Sequence, residues 1–142
     1  MNFDQRQRAV FGSLADVLIP ADQTMPSASA AGVAGPWLDA VLAARPDLAA
    51  PLKTVLLKAE GQPPQDFLDE LRAADGLAFD MLGEIAAAAY FMNPDVQQVI
   101  GYTGQGPLPI EPDEMDYELL EPVLRRGPIY RPTPRTRQEE TA

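Results

Sequence analysis

Asn93-Pro94 interrupts the longest apolar run of the chain and restarts it as something else. Upstream, Leu77, Ala78, Met81, Leu82, Ile85, Ala88, Ala89 and Met92 recur at three and four residues, the spacing of one helix with a buried face. Its alanines let a neighbouring helix come close. Asn is a favoured N-cap, and Pro suits a first helical turn, where its missing N–H is not needed. A short segment over Asp95–Ile100 is therefore expected. It ends at Gly101-Tyr102-Thr103-Gly104, where two glycines permit left-handed or tight-turn geometry around an aromatic.

The residues before this stretch read as helices. Asp4 or Asn2 can cap the first, whose buried face is Val10, Phe11, Leu14, Val17 and Leu18, and Pro20 ends it. Ala21 to Gly35 is rich in small and turn-forming residues and reads as a loop. Pro36 opens a second helix with Trp37, Leu38, Val41 and Leu42 on its apolar face, and Pro46 stops it. Leu48, Leu52, Val55, Leu56 and Ala59 mark a third; Phe67, Leu68 and Leu71 mark a shorter fourth; Leu77 to Met92 is the fifth. No alternating apolar–polar run suggests a strand. The expected fold is all-α: a compact bundle of about five helices over residues 1–105.

From Gly106 the character changes. Seven of the 15 prolines lie between Pro107 and Pro134. An extended, Pro-rich C-terminal arm is expected over 106–142, with one turn of helix at Glu114–Leu120 and loose residues after Pro134. The arm also holds Ile110, Met115, Tyr117, Leu119, Leu120, Val123, Leu124, Ile129 and Tyr130, too apolar for a simple linker. Ile110, Tyr117, Leu120, Leu124 and Tyr130 are its candidate anchors on a partner surface.

What the chain lacks limits its chemistry. It has no Cys and no His. Thiolate nucleophiles, Cys-ligated metals, and Ser–His or Cys–His arrangements are therefore excluded. No P-loop and no GxGxxG opening a βαβ unit is present, nor EF-hand spacing. No run of about 18 apolar residues encodes a membrane span. The formal net charge is −10. From Val123 onward five arginines face Glu139 and Glu140, a surplus of three positive charges, so the remainder carries about −13 of that net. Phosphates would be repelled by such a body, which argues against nucleic acid. The sparse arginines of the tail read as a solvated or partner-docking segment.

Two constellations call for weighing. Asp66, Asp69 and Glu70 adjoin Phe67, Leu68 and Leu71; the solvated face of an amphipathic helix accounts for them better than a carboxylate site does. Tyr90, Phe91 and Tyr102 bracket Pro94 and could line a pocket, although aromatics at a helix end more often complete a core.

Two stretches carry a resemblance. LADVLIPADQTMPSASAAGV, Leu14 to Val33, has a leucine-rich helix, then Ile-Pro, an acidic residue, Pro-Ser-Ala and a Gly. AYFMNPDVQQVIGYTG, Ala89 to Gly104, has an aromatic–Pro segment followed by Gly-Tyr-x-Gly. In this order and spacing the chain resembles the gluconate 2-dehydrogenase subunit 3 family, over about residues 5 to 105. That family comprises small helical subunits of flavin-dependent sugar and sugar-acid dehydrogenases of the glucose–methanol–choline type.

The resemblance implies a non-catalytic small subunit, with 1–105 as the small-subunit domain. It implies no catalytic, cofactor-binding or metal residue in this chain. FAD is expected in a large dehydrogenase subunit, its partner, with a cytochrome c subunit as a further candidate partner. Tyr90, Pro94, Gly101, Tyr102 and Gly104 are the candidate partner-binding residues of the body. Many members carry a twin-arginine leader that the given sequence does not, so the expected location is cytoplasmic, or periplasmic if exported with a partner. A free-standing helical binding module is the alternative reading, and an enzyme in its own right a third.

Overall fold

Each helix starts and stops where local chemistry dictates. The computed structural model describes residues 3–106 and 114–129. Asp4 caps α1 (Gln5–Leu18) with a capping box: its carboxylate accepts from the Gln7 amide, and the Gln7 side chain accepts from the Asp4 amide. A loop leads to a wide turn at Val33–Trp37, interrupted at Gly35, and then to α2 (Leu38–Ala44). Pro46–Leu48 makes a single tight turn before α3 (Ala49–Ala59). Pro64 occupies the first position of α4 (Pro64–Ala74). Asp75 caps α5 (Gly76–Phe91), and Asn93 caps α6 (Pro94–Val99).

The chain divides into two units, Met1–Gly104 and Gln105–Ala142. In the first, α5 touches each of the other five helices. Phe11, Leu14, Leu38, Leu52, Leu56, Leu82 and Ile85 are the largest wholly buried side chains, followed by Val33 and Val96, and Phe67, Leu68 and Tyr90 are among those packed with them. Among the described residues every buried apolar side chain lies between Phe3 and Val96, so the first unit encloses its own core. The apolar faces expected on the first four helices are buried or half-buried. On α5 the expected face holds only in part: Leu82, Ile85 and Ala89 are buried, but Leu77 and Met92 at its two ends are exposed, and Ala86 and Tyr90 are buried in their place. Asp66, Asp69 and Glu70 stand on the exposed side of α4, as a solvated face requires.

Arg8 links α1 to the turn before α2. Its guanidinium donates to the carbonyls of Phe3, Ala34 and Gly35 and to the Asp39 carboxylate. One planar fork reaches two carbonyls of the turn along with the acid, and the Gly35 carbonyl also accepts from the Leu38 amide.

The architecture is all-α, but the helix count and the arm need correction. Seven α-helices and no strand are present among the described residues, against about five expected. One addition is α6, read from sequence only as a short segment. The other is α7 (Glu114–Arg126), which spans 13 residues where one turn was expected. Pro122 lies inside it. A proline removes one backbone hydrogen bond and crowds one carbonyl, at about 3 kcal/mol. Here it is exposed, so water can satisfy the freed carbonyl, and the Glu, Leu and Arg around it are good helix formers. Leu119, Leu120, Val123 and Leu124 on α7 are exposed, and Arg125 pairs with Glu121 one turn away. Ile110 and Tyr130 lie outside the described residues, as does the side chain of Tyr117.

Candidate functional site

The site is built where α5 ends. Tyr90 and Phe91 are adjacent, and the helical period turns them to different sides. Tyr90 is 2% exposed, whereas Phe91 is 50% exposed, and their rings meet edge to face at 5.4 Å. Tyr90 donates its hydroxyl to the Pro26 carbonyl at 2.7 Å. Three residues on, Asn93 donates its side-chain amide to the Ala31 carbonyl at 2.8 Å while its oxygen caps α6 by accepting from the Asp95 amide. These two bonds join Leu14–Val33 to Ala89–Gly104, the two segments singled out in the sequence, more than 60 residues apart in the chain.

The loop in the first segment is folded by its own side chains. Asp22 accepts from the Thr24 and Met25 amides, an Asx turn. Asp16, at the far end of α1, accepts from both the amide and the hydroxyl of Ser29. Partial burial pushes the Asp16 carboxyl up, but hydrogen bonds from the Ser29 hydroxyl and amide and from Ser27 outweigh it and hold it below the ordinary carboxylate value. A lowered folded pKa contributes stability above the unfolded value of about 3.9, and that contribution is lost as pH falls through the folded value. Ser29→Ala is expected to raise the Asp16 pKa toward the ordinary value while keeping the amide contact. Carboxyl-resolved NMR titration checks this; an unmoved pKa would show that the hydroxyl does not hold the carboxylate.

The second segment ends in a Schellman motif. The Tyr102 amide donates to the Gln97 carbonyl at 2.8 Å and the Gly101 amide to the Gln98 carbonyl at 3.1 Å. The motif needs a left-handed residue after the C-cap, and Gly101 supplies it with φ +71°. A Cβ there would meet nothing within 4 Å, so a substitution at Gly101 is opposed by backbone conformation alone. The Gln97 side chain donates to the Phe91 carbonyl, closing α6 back onto the end of α5.

The candidate residues thus divide. Pro94, Gly101, Tyr102 and Gly104 line one open cleft of about 410 Å³, together with Gln97, Gln98 and Thr103. Tyr90 does not join them: its surface is used inside its own unit, where it holds the segment in place from beneath. Of the three aromatics weighed from the sequence, only Tyr90 completes a core; Phe91 and Tyr102 remain half exposed.

What the sequence left unnoticed is a run of exposed apolar side chains about α6, of which Tyr102 also lines the cleft. Phe91, Met92, Val99, Ile100 and Tyr102 are all exposed, within residues 91–102. Elsewhere in the described part of the first unit, the exposed large hydrophobics are Leu57 and Leu77. No nucleophile–base pair stands at this corner, and no group of three or more metal-ligating side chains occurs among the described residues. Compared with family models, curated proteins and solved structures, the chain matches none.

Proposed function

We propose that this chain is a non-catalytic accessory subunit of an FAD-dependent sugar or sugar-acid dehydrogenase, which it binds and stabilises. The observation that carries the reading is the meeting of the two resembling segments. Tyr90 and Asn93 fasten them together, and the corner they form exposes five large apolar side chains. A surface of this kind is suited to covering an apolar face of a larger subunit, which stabilises that subunit by mass action. The exposed leucines of α7 offer a second, separate contact. The absence of His and Cys from this chain leaves hydride chemistry to the FAD of the partner. A free-standing binding module is the second reading. It draws on a cleft of about 520 Å³ between α3, α4 and α5, lined by Leu48, Val55, Leu71 and Met81 with Lys58 at its edge.

Purified from its native host by a tag on this chain, the protein is expected to bring with it a larger yellow flavoprotein that oxidises a sugar with an artificial electron acceptor. Alone, it is expected to be colourless and inactive. Removing Gly106 to Ala142 should leave the helical signal of the first unit, whose core is self-contained, and reduce the yield of the flavoprotein. Flavin absorbance or turnover in the isolated chain would overturn the reading, as would a tagged chain that brings no flavoprotein.

A further inference from the structure

The corner at the end of α5 is unusual in charge as well as in exposure. No lysine or arginine occurs between Arg8 and Arg45, and none between Arg72 and Arg125. These are the two parts of the chain that the Tyr90–Pro26 and Asn93–Ala31 bonds bring together. Acids are present in both. Asp95 is exposed one helical turn before Val99. Asp22 lies near enough to Tyr90 to add to the effect of burial in raising its hydroxyl pKa. Arg45 reaches α5 at Glu84, but it is also held by Asp47, so that trio keeps a net negative charge.

We propose that the surface of Phe91, Met92, Val99, Ile100 and Tyr102 docks a partner protein whose own apolar patch is rimmed by arginine and lysine. Charge complementarity selects this occupant. Nucleic-acid phosphates and anionic lipid headgroups would find no lysine or arginine in either cation-free segment and would meet the exposed Asp95. A second copy in a two-fold contact would set the same acids against themselves. The opposing basic rim speeds encounter and fixes the register, while the apolar centre supplies the adhesion. The identity of the partner rests on the accessory-subunit reading; the chemistry of the surface rests on exposure and charge.

The test uses the full chain, labelled with nitrogen-15, and two short helical peptides with the same leucine stripe. One carries lysine on its polar face and the other glutamate. The lysine peptide is expected to shift the amides of residues 91–102, to bind on the order of tenfold more tightly than the glutamate peptide, and to weaken as salt is added. Ile100→Asp, on an exposed side chain, should reduce that affinity about tenfold without altering the helical signal. Equal binding of the two peptides, shifts confined to other residues, or no shift with either at millimolar concentration would overturn the proposal. A dimer in sedimentation that Ile100→Asp dissolves would assign the surface to a second copy. Binding seen only after removal of residues 130–142 would assign it to the chain's own tail. Either result overturns the proposal. Lysine-peptide binding at this corner in a chain that brings down no flavoprotein would remove the accessory-subunit reading and leave this one standing; a flavoprotein complex indifferent to salt and to Ile100→Asp would do the reverse.

Discussion

Phe11→Ala is expected to lower the melting temperature by on the order of 10–15 °C, the largest effect of any single change considered for this chain. Phe11 is 0% exposed on the middle of α1 and belongs to the one core cluster of the first unit. Truncating a buried Phe removes its transfer free energy and leaves a cavity, together about 3–5 kcal/mol. A domain of ordinary stability has about 5–15 kcal/mol in total, so a large share would go. Phe11→Leu keeps most of the volume and should lose far less, about 1–1.5 kcal/mol. Thermal melts followed by circular dichroism read both. If the alanine variant melted within a degree or two of the parent, α1 would not be packed as described.

Breaking the junction between the two distant segments should have the second largest effect. Tyr90→Phe leaves the Pro26 carbonyl without its donor, and Asn93→Ala removes both the contact to Ala31 and the cap of α6. Each change is expected to destabilise by about 1–2 kcal/mol. The double variant should lose at most the plain sum, about 2–4 kcal/mol, and less than that if the two bonds share one opening motion. Its signature is local. Amides of Ser29 to Gly32 and of Asp95 to Tyr102 should exchange with solvent faster than those of α3 and α4, since the opening unit is the junction and not the core. Exchange that accelerated evenly through all the helices would contradict this.

The same junction explains how far sequence reasoning reached. The periodic faces of α1 to α4, and part of that of α5, were legible because a buried helix face repeats at three and four residues wherever it occurs. The breaks at Pro20, Pro46 and Asn93-Pro94 were legible because proline and a capping side chain act on their nearest backbone. The left-handed glycine at Gly101 belongs to the same class, since the Schellman motif closes within six residues. The reading of the arm failed at α7 because a count of prolines treats each as a helix stop. Pro122 removes a single bond from a segment whose other residues favour the helix.

By itself, the sequence determined the order and the type of the elements of the first unit, through interactions that span one helical turn or less. It also determined the acidic, His-free and Cys-free character of the chain. Tertiary structure alone decided which of two adjacent aromatics is inside. Tyr90 is buried where the loop at Pro26 returns to accept a hydrogen bond from its hydroxyl, while Phe91, one position on, faces solvent. It also decided that Arg8 would hold the turn at Ala34 and Gly35, and that two cation-free segments would share one corner with five exposed apolar side chains. Each of these depends on partners 26 or more residues away in the chain, and local spacing carries no record of which distant backbone will come to rest beside a given side chain.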